Sequence, residues 1–510
     1  MPTVMSEAAP GALGTVEDAV NGVIGPVTDW VSAVVFVPIS IGPVEFPVVV
    51  AWLVIAAIVF TVYFGVIQAR GFGHALSLVR GKHSDDDDPG EVTHFQALTS
   101  AVSGTVGLGN IAGVAVAVTL GGPGATFWMI IAGLLGMCTK FVECTLGVKY
   151  REEHADGTVT GGPFRYLPIA FERFGAPVAK VLTGFFAVAI LFFGAGGGNM
   201  FQANQTLAQL RNATGGDDSP LAGAGAGLAF GLVLAALVGL VIFGGIKSIG
   251  RVTSRLVPAM AVVYVLACFT VIAVNIGELP GAVASIVTGA FSPEGVTGGV
   301  VGALIIGFQR AAFSNEAGIG SAAIAHSAVK TRRPVTEGFV ALLEPFVDTV
   351  LICTITALTI VTANPQSWVD ARAEVADTGT TGADGVVLTS DAFAEVVPWF
   401  PLVLALAVLL FAYSTLITWA YYGQKAWTTL FGRSRRSETV YKVVYLFFTV
   451  LGTVVTLTQV LDLADAALFA CAFVNVLGLY LLAPVVKREL REYLADKRAG
   501  RLQEGTASLR

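Results

Sequence analysis

The sequence predicts an all-α polytopic membrane protein: 11 transmembrane helices, N-terminus out and C-terminus in, ten of them forming a 5+5 inverted repeat with two discontinuous helices. Three observations carry this. Only 13% of the 510 residues are charged while 55% are hydrophobic, against about 25% and 45–50% in a soluble globule. Apolar runs long enough to cross a bilayer, about 20 residues each, recur along the chain. Two of those runs are interrupted by the same glycine pattern.

The runs cover 46–68, 95–120, 126–149, 181–210, 227–245, 256–276, 299–329, 337–362, 399–430, 439–458 and 464–486. Before them, Val16 to Val37 is amphipathic and carries Glu17, Asp18 and Asp29, so it reads as a surface helix. Residues 1–45 are therefore expected outside as an N-terminal amphipathic segment. The 46–68 helix stands as an addition, 95–276 and 299–486 as the two five-helix repeats, and 487–510 as a cytoplasmic tail. Met1 to Val44 holds no Lys or Arg, so no signal peptide is read there.

Basic residues orient the set. With the N-terminus outside, 26 of the 30 Lys and Arg fall on the inner side; Arg211 and Arg372 fall outside, and Lys140 and Arg310 lie within spans. The outer loop before the ninth span is acidic, with Asp370, Glu374, Asp377, Asp384, Asp391 and Glu395. An even number of spans breaks this separation. The acidic run from Ser84 to Gly90 reads as a solvated charge cluster.

The first interrupted run is Ser103-Gly-Thr-Val-Gly-Leu-Gly-Asn-Ile-Ala112, and the second is Ser314-Asn-Glu-Ala-Gly-Ile-Gly-Ser-Ala-Ala323. They share Ser, Gly-apolar-Gly, a small polar residue and Ala at a constant offset of 211. Each opens a set of five spans, and an odd number turns the second copy upside down. Inverted repeats with helices broken in matching places are the signature of a secondary transporter. Irregular backbone at membrane depth is tolerated where it lines a cavity or is buried in protein. A half-helix N-terminus there offers amides to an anion, and a half-helix C-terminus offers carbonyls to a cation.

The amides and hydroxyl of Thr105, Gly107, Gly109 and Asn110 are the candidates for a substrate carboxylate. For an ammonium group the candidates are the second break at Ser314 and Asn315, with Asn199, Gln202 and Gln205 of the fourth span. Phe308 is a candidate roof. Of the charges inside spans, Lys140 and Glu143 are spaced to pair along one face. Glu344 and Asp348 share a face, and one is expected to pair with Arg310 or be protonated. Glu316 lies in the second break and can complete either site. These four, Arg310, Glu316, Glu344 and Asp348, are the candidate coupling charges. His326 reads as a structural histidine. Cys138, Cys144, Cys268, Cys353 and Cys471 all sit in apolar runs and read as small hydrophobes.

Further stretches are Gly121-Gly-Pro-Gly-Ala-Thr-Phe-Trp-Met129, Thr139-Lys-Phe-Val-Glu143, Phe313 to His326, Glu337-Gly-Phe-Val-Ala-Leu-Leu-Glu-Pro-Phe-Val-Asp-Thr349 and Tyr413-Ser-Thr-Leu-Ile-Thr-Trp-Ala-Tyr-Tyr-Gly423. With Gly104 to Val114 they make the chain resemble the sodium:alanine symporter family (alanine or glycine:cation symporters), in that family's order from about residue 94 to 430. Thr126, Ile130 and the stretch Gly161-Gly-Pro-Phe-Arg-Tyr166 depart from its pattern. The resemblance implies the leucine-transporter type of fold and sodium-driven uptake of a small neutral amino acid such as alanine or glycine. It also implies a sodium site made by the carbonyls of Ser103, Val106 and Phe411 with the hydroxyls of Ser414 and Thr415.

Other classes fit less well. No nucleophile–base pair or metal motif marks an enzyme, and no Lys/Arg-dense stretch marks a nucleic-acid binder. No organic cofactor or obligate protein partner is expected; the partners are the amino acid, sodium and the bilayer of a prokaryotic cell membrane. A proton-coupled carrier using Glu344 and Asp348 is the alternative, and an amino-acid-gated sensor or channel ranks below it.

Overall fold

The computed structural model describes residues 12–502 except 42–43, 84, 86, 293–298, 380, 382–384 and 456–457. Asp384, parts of the acidic run, the first eleven residues and the end of the tail therefore lie outside the described residues.

The chain is helical almost throughout. Helix α1 (Ala12–Val35) leads through a short antiparallel hairpin, Pro38–Ile41 with Val44–Pro47, into α2 (Val48–Tyr63) and α3 (Ile67–Val79). Then come α4 (His94–Thr105), α5 (Ala112–Leu120), α6 (Gly124–Lys149), α7 (Pro163–Phe171) and α8 (Ala176–Ala213). They are followed by α9 (Ala224–Ile242), α10 (Gly245–Val274), α11 (Leu279–Gly289), α12 (Gly299–Asn315), α13 (Ala322–His326) and α14 (Pro334–Ala363). The last are α15 (Gln366–Thr378), α16 (Gly385–Ala394), α17 (Phe400–Phe431), α18 (Arg435–Gly452) and α19 (Thr458–Arg498). Both α8 and α14 contain a π-helical stretch, at Gly196–Met200 and Phe346–Cys353. Such bulges shift the register of the turns that follow.

Among the described residues, seven helices are long and apolar enough to cross a membrane, or nine if each sharply bent pair is one span. Two of the eleven expected runs fall short for physical reasons. The 299–329 run gives only 17 residues of helix before it breaks. The 439–458 run lies in α18, whose 18 residues include Arg435, Arg436, Glu438 and Lys442. The run at 46–68 also differs from its reading as one helix. It turns by 78° between α2 and α3, at Gly65 and Val66, both of which have positive φ.

Two packing groups meet at the breaks. Helix α6 packs against α2, α12, α13 and α14, and α17 packs against α4, α8 and α10. Helix α1 lies along α19, where Phe36 meets Phe469 edge-on at 5.4 Å between centroids.

On the side of the α6 C-terminus the two halves are clasped together. Arg151 donates to the carbonyls of Ser327, Val329, Pro89 and Thr331 at 3.2, 2.5, 2.6 and 2.8 Å. A parallel bridge joins Val92 to Val329 beside it.

Candidate site at two broken helices

The first break ends α4. A capping box at Thr93 and Gln96 starts that helix, and Val106 leaves the helical conformation at φ −72°, ψ 100°. The chain bends by 63° into the segment Leu108–Leu120. Gly107 is extended (φ −152°), so its glycine answers to space: a Cβ there meets Thr415 Oγ1 at 3.0 Å.

Every fixed contact from this break to α17 is made by neutral groups. Ser103 Oγ donates to the Ser414 carbonyl at 2.6 Å, and Thr418 Oγ1 lies 3.0 Å from Ser103 Oγ. Thr415 Oγ1 sits between the carbonyls of Ser103 (3.1 Å) and Phe411 (3.0 Å). Ser414 Oγ lies 2.8 Å from that same Phe411 carbonyl, and Trp419 Nε1 donates to the Gly104 carbonyl at 3.1 Å. Ser103, Val106, Phe411, Ser414 and Thr415 are all buried.

The second break is built differently. Glu316, Gly318 and Gly320 all have positive φ, at 54°, 99° and 97°. A Cβ at Gly320 meets Pro163 Cγ at 2.8 Å and Asn475 Cγ at 3.0 Å. Carboxylates hold this turn. Glu143 Oε1 accepts from Gly318 N at 2.9 Å and from Asn475 Nδ2 at 2.8 Å, and Ser321 Oγ donates to Glu316. Lys140 pairs with Glu344 at 3.0 Å, both fully buried. The Glu344 carboxylate also lies 3.7 Å from His326 Nε2, and His326 Nδ1 reaches Glu337 at 2.5 Å. The other Glu337 oxygen contacts His94. Five buried ionisable groups thus form one chain from the α4 N-terminus to α6.

One residue joins the two breaks. Asn110 accepts from Gly107 N at 2.8 Å and donates to Ser314 Oγ at 3.0 Å and Asp348 Oδ1 at 2.7 Å. Asp348 also receives Ser314 Oγ and Thr349 Oγ1, each at 2.7 Å. Asn315 Nδ2 donates to Thr349 Oγ1 at 2.9 Å.

The structure therefore gathers most of the expected residues and redirects several. Lys140 pairs with Glu344 rather than Glu143, because α14 packs across α6 and brings the carboxylate over it. Arg310 meets neither Glu344 nor Asp348; it shares a cavity with Asp465 instead. His326 is not alone. Asn110 and the Gly107 amide satisfy each other. Thr105 Oγ1 bonds back to the carbonyls of Ala101 and Val102, the usual resort of a helical hydroxyl.

Of the α8 amides, Asn199 is held by the Tyr445 carbonyl and Thr449 Oγ1, each at 2.8 Å. Among the described residues Gln205 reaches only its neighbour Asn204. Gln202 is the one aimed at the first break: its Oε1 is buried without a hydrogen-bond partner among the described residues, 3.7 Å from a Cβ built on Gly107. Phe308 lies beside Trp128, 6.3 Å between centroids, and lines a small gap shared with α2 and α6. Gly109 faces Phe313. Thr418, Trp419 and Tyr422 around Gly104 were not singled out from the sequence. Their recurrence one turn beyond Ser414 and Thr415 was the available signal.

Seven to nine helices apolar enough to cross a membrane, with two matched breaks bonded to each other through Asn110, make a polytopic bundle of the kind membrane transporters use. The sodium:alanine symporter family model matches residues 31–507. The chain belongs to that family, whose members are cation-coupled amino-acid transporters. It is 37% identical over 452 residues to the sodium/alanine symporter AgcS of Methanococcus maripaludis, covering 88% of this chain and 94% of that one. It is 33% identical over 457 residues to the probable sodium/glutamine symporter GlnT of Bacillus subtilis, covering 88% and 89%. Among solved structures, MhsT in complex with L-phenylalanine aligns at a TM-score of 0.49 and 15% identity, over 79% of this chain and 99% of that one.

Proposed function

We propose that the chain is a secondary active transporter of a prokaryotic cell membrane that takes up a small neutral amino acid, such as alanine or glycine, by symport with sodium. In this reading the matched breaks belong to a 5+5 inverted repeat with the N-terminus outside. The observation that carries the reading is the oxygen cluster where Thr415 Oγ1 lies between the carbonyls of Ser103 and Phe411. Carbonyls and hydroxyls without a carboxylate suit a monovalent ion that has shed its water, as carbonyls do in selective filters and broken-helix carriers. Sodium would take the Ser103, Val106 and Phe411 carbonyls with Ser414 Oγ and Thr415 Oγ1, replacing the hydrogen bonds those hydroxyls now make. The amino acid would lie beside it between the breaks, with Gln202 and the backbone near Gly107 and Gly109 as its polar contacts.

Alternating access follows from that coupling. Sodium bridging α4 to α17 favours one arrangement of the two packing groups. Substrate that binds the same arrangement shifts the population further, and neither ligand alone moves it as far.

The test is uptake of labelled alanine into proteoliposomes under an imposed sodium or proton gradient. Accumulation on the sodium gradient is expected. A proton-driven carrier is the second reading, favoured by the chain His94, Glu337, His326, Glu344 and Lys140. Accumulation on a proton gradient alone would establish it and overturn the first.

A further inference from the structure

A polar cavity of about 360 Å³ lies between α1, α19 and the end of α12 that leads into the second break. Arg310 of α12, Asp462 and Asp465 of α19 and Asp29 of α1 line it, with Phe313 and Phe469 as its apolar wall. The Phe313 ring, which forms part of this wall, also lies within contact distance of a Cβ built on Gly109 of the first break. The cavity and the breaks thus share one aromatic ring.

The charges in this cavity are left incomplete. The Arg310 Nε is buried and has no hydrogen-bond partner among the described residues. Asp465 is the carboxylate whose charge acts on it, yet no ion pair joins them among the described residues. Asp465 in turn feels Arg310 and Asp462. The two side chains are half-buried, and sealing the guanidinium Nε without an acceptor leaves a donor unsatisfied, which costs stability unless something else completes it. A simple anion fits badly, because three carboxylates line the cavity with the one cation. A metal ion fits no better, since it would sit against the guanidinium, and the described residues hold no group of metal-ligating side chains. A molecule carrying both charges answers both sides, and the volume lies within the roughly 300–1,000 Å³ of small-ligand pockets.

We propose that this cavity is a second binding site for a free amino-acid zwitterion, in which the Arg310 guanidinium grips the α-carboxylate and Asp465 receives the α-ammonium group. Two parallel N–H donors match a carboxylate, and Asp462 and Asp29 add negative potential on the ammonium side. The site sits on the face that carries α1 and leads toward the breaks past Phe313, so it is a place where substrate waits before reaching them. It holds its ligand with fixed protein charges and does not need sodium. The inference rests on the amino-acid reading above.

Saturation binding of labelled alanine to the full chain in nanodiscs tests it. With sodium, wild type is expected to bind two alanines per chain; without sodium, one. Arg310→Gln should bind one with sodium and none without it, the retained sodium-dependent alanine showing that the variant is folded. Arg310→Lys keeps the charge but loses the paired donors, and should weaken the sodium-independent binding by about 10- to 100-fold. Alaninamide, which lacks the carboxylate, should fail to displace the sodium-independent alanine. A single alanine in wild type, unaltered by Arg310→Gln, overturns the second site and leaves the amino-acid reading standing. No alanine bound by wild type under either condition overturns that reading and the proposal with it.

Discussion

The two breaks occupy matching places in the sequence, 211 residues apart, and are held by opposite chemistry. Toward α17, the first is fixed by hydroxyls, carbonyls and one indole, all neutral, and a single carboxylate, Asp348, reaches it through Asn110. At the second, Glu143, Glu316 and Asp348 accept hydrogen bonds from Gly318, Ser321 and Ser314, and Lys140, Glu344 and His326 form a buried chain of charged contacts. The backbone differs as well. The second break runs through three residues of positive φ, a conformation that an L side chain adopts only under strain; the first passes through Val106, Gly107 and a tight turn at Leu108–Asn110 with no positive φ. One glycine pattern is therefore held in two different ways. The second break is a fixed abutment, cemented by ions and by a turn that accepts little but glycine. The first is tied to α17 by single hydrogen bonds between neutral groups, worth about 1 kcal/mol each.

The largest effect should come from the abutment. Lys140→Met strands the Glu344 carboxylate in a dry interior and should cost about 3–5 kcal/mol of stability, read as a fall in the thermal midpoint in detergent. Lys140→Met with Glu344→Gln should recover most of it. If the double variant also shifts the sodium dependence of uptake tenfold, the division into fixed and exchanging halves is wrong.

Gly320→Ala comes next, at about 1–3 kcal/mol for the strained φ. The companion at the other break, Gly109→Ala, is in ordinary contact distance of Phe313 and should cost less than about 1 kcal/mol in the same assay. Equal losses would erase the backbone difference.

Thr415→Ala should leave the thermal midpoint nearly unchanged while raising the sodium concentration for half-maximal uptake about tenfold, the factor that corresponds to one lost ligand of roughly 1.4 kcal/mol. Ser414→Ala should act in the same direction. Neither variant moving that concentration would sink the ion-site assignment. The smallest effect is steric. Gly107→Ala forces Thr415 Oγ1 to yield a few tenths of an ångström and should weaken alanine binding by about three- to tenfold. Gly113→Ala, with nothing within 4 Å of its Cβ, serves as the unaffected control.

How far the sequence could be read follows from what each signal encodes. Span length and apolarity are local, so seven to nine crossings were legible. Glycine spacing is local too, and both breaks fall where the repeated pattern lies. Pairing is not local. Lys140 and Glu344 are 204 residues apart, and nothing in the α6 sequence tells Lys140 to prefer that partner over Glu143 one turn away. Direction around a helix was also hidden on α8. Asn199, Gln202 and Gln205 lie three apart and read alike, but Asn199 sits within the π-helical stretch Gly196–Met200 and is taken up by α18, while of the two glutamines beyond it Gln202 is the buried one beside Gly107. The α2–α3 bend escaped because Val66, a β-branched residue at positive φ, gives no local warning.

The Arg151 clasp has a consequence for leakage. A carrier that opens on both faces at once is a hole, and the gradient it feeds on drains through it. One guanidinium bound to four carbonyls, beside the Val92–Val329 bridge, makes closure on that face all or nothing: the bonds share a single side chain and are lost together. Backbone bonds from Glu91 to Ala328, Lys330 to Val92 and Thr331 to Pro89 stand beside it, but only the arginine gathers four contacts into one side chain, so the idle rate of ion slip, with no amino acid present, should rise on its loss.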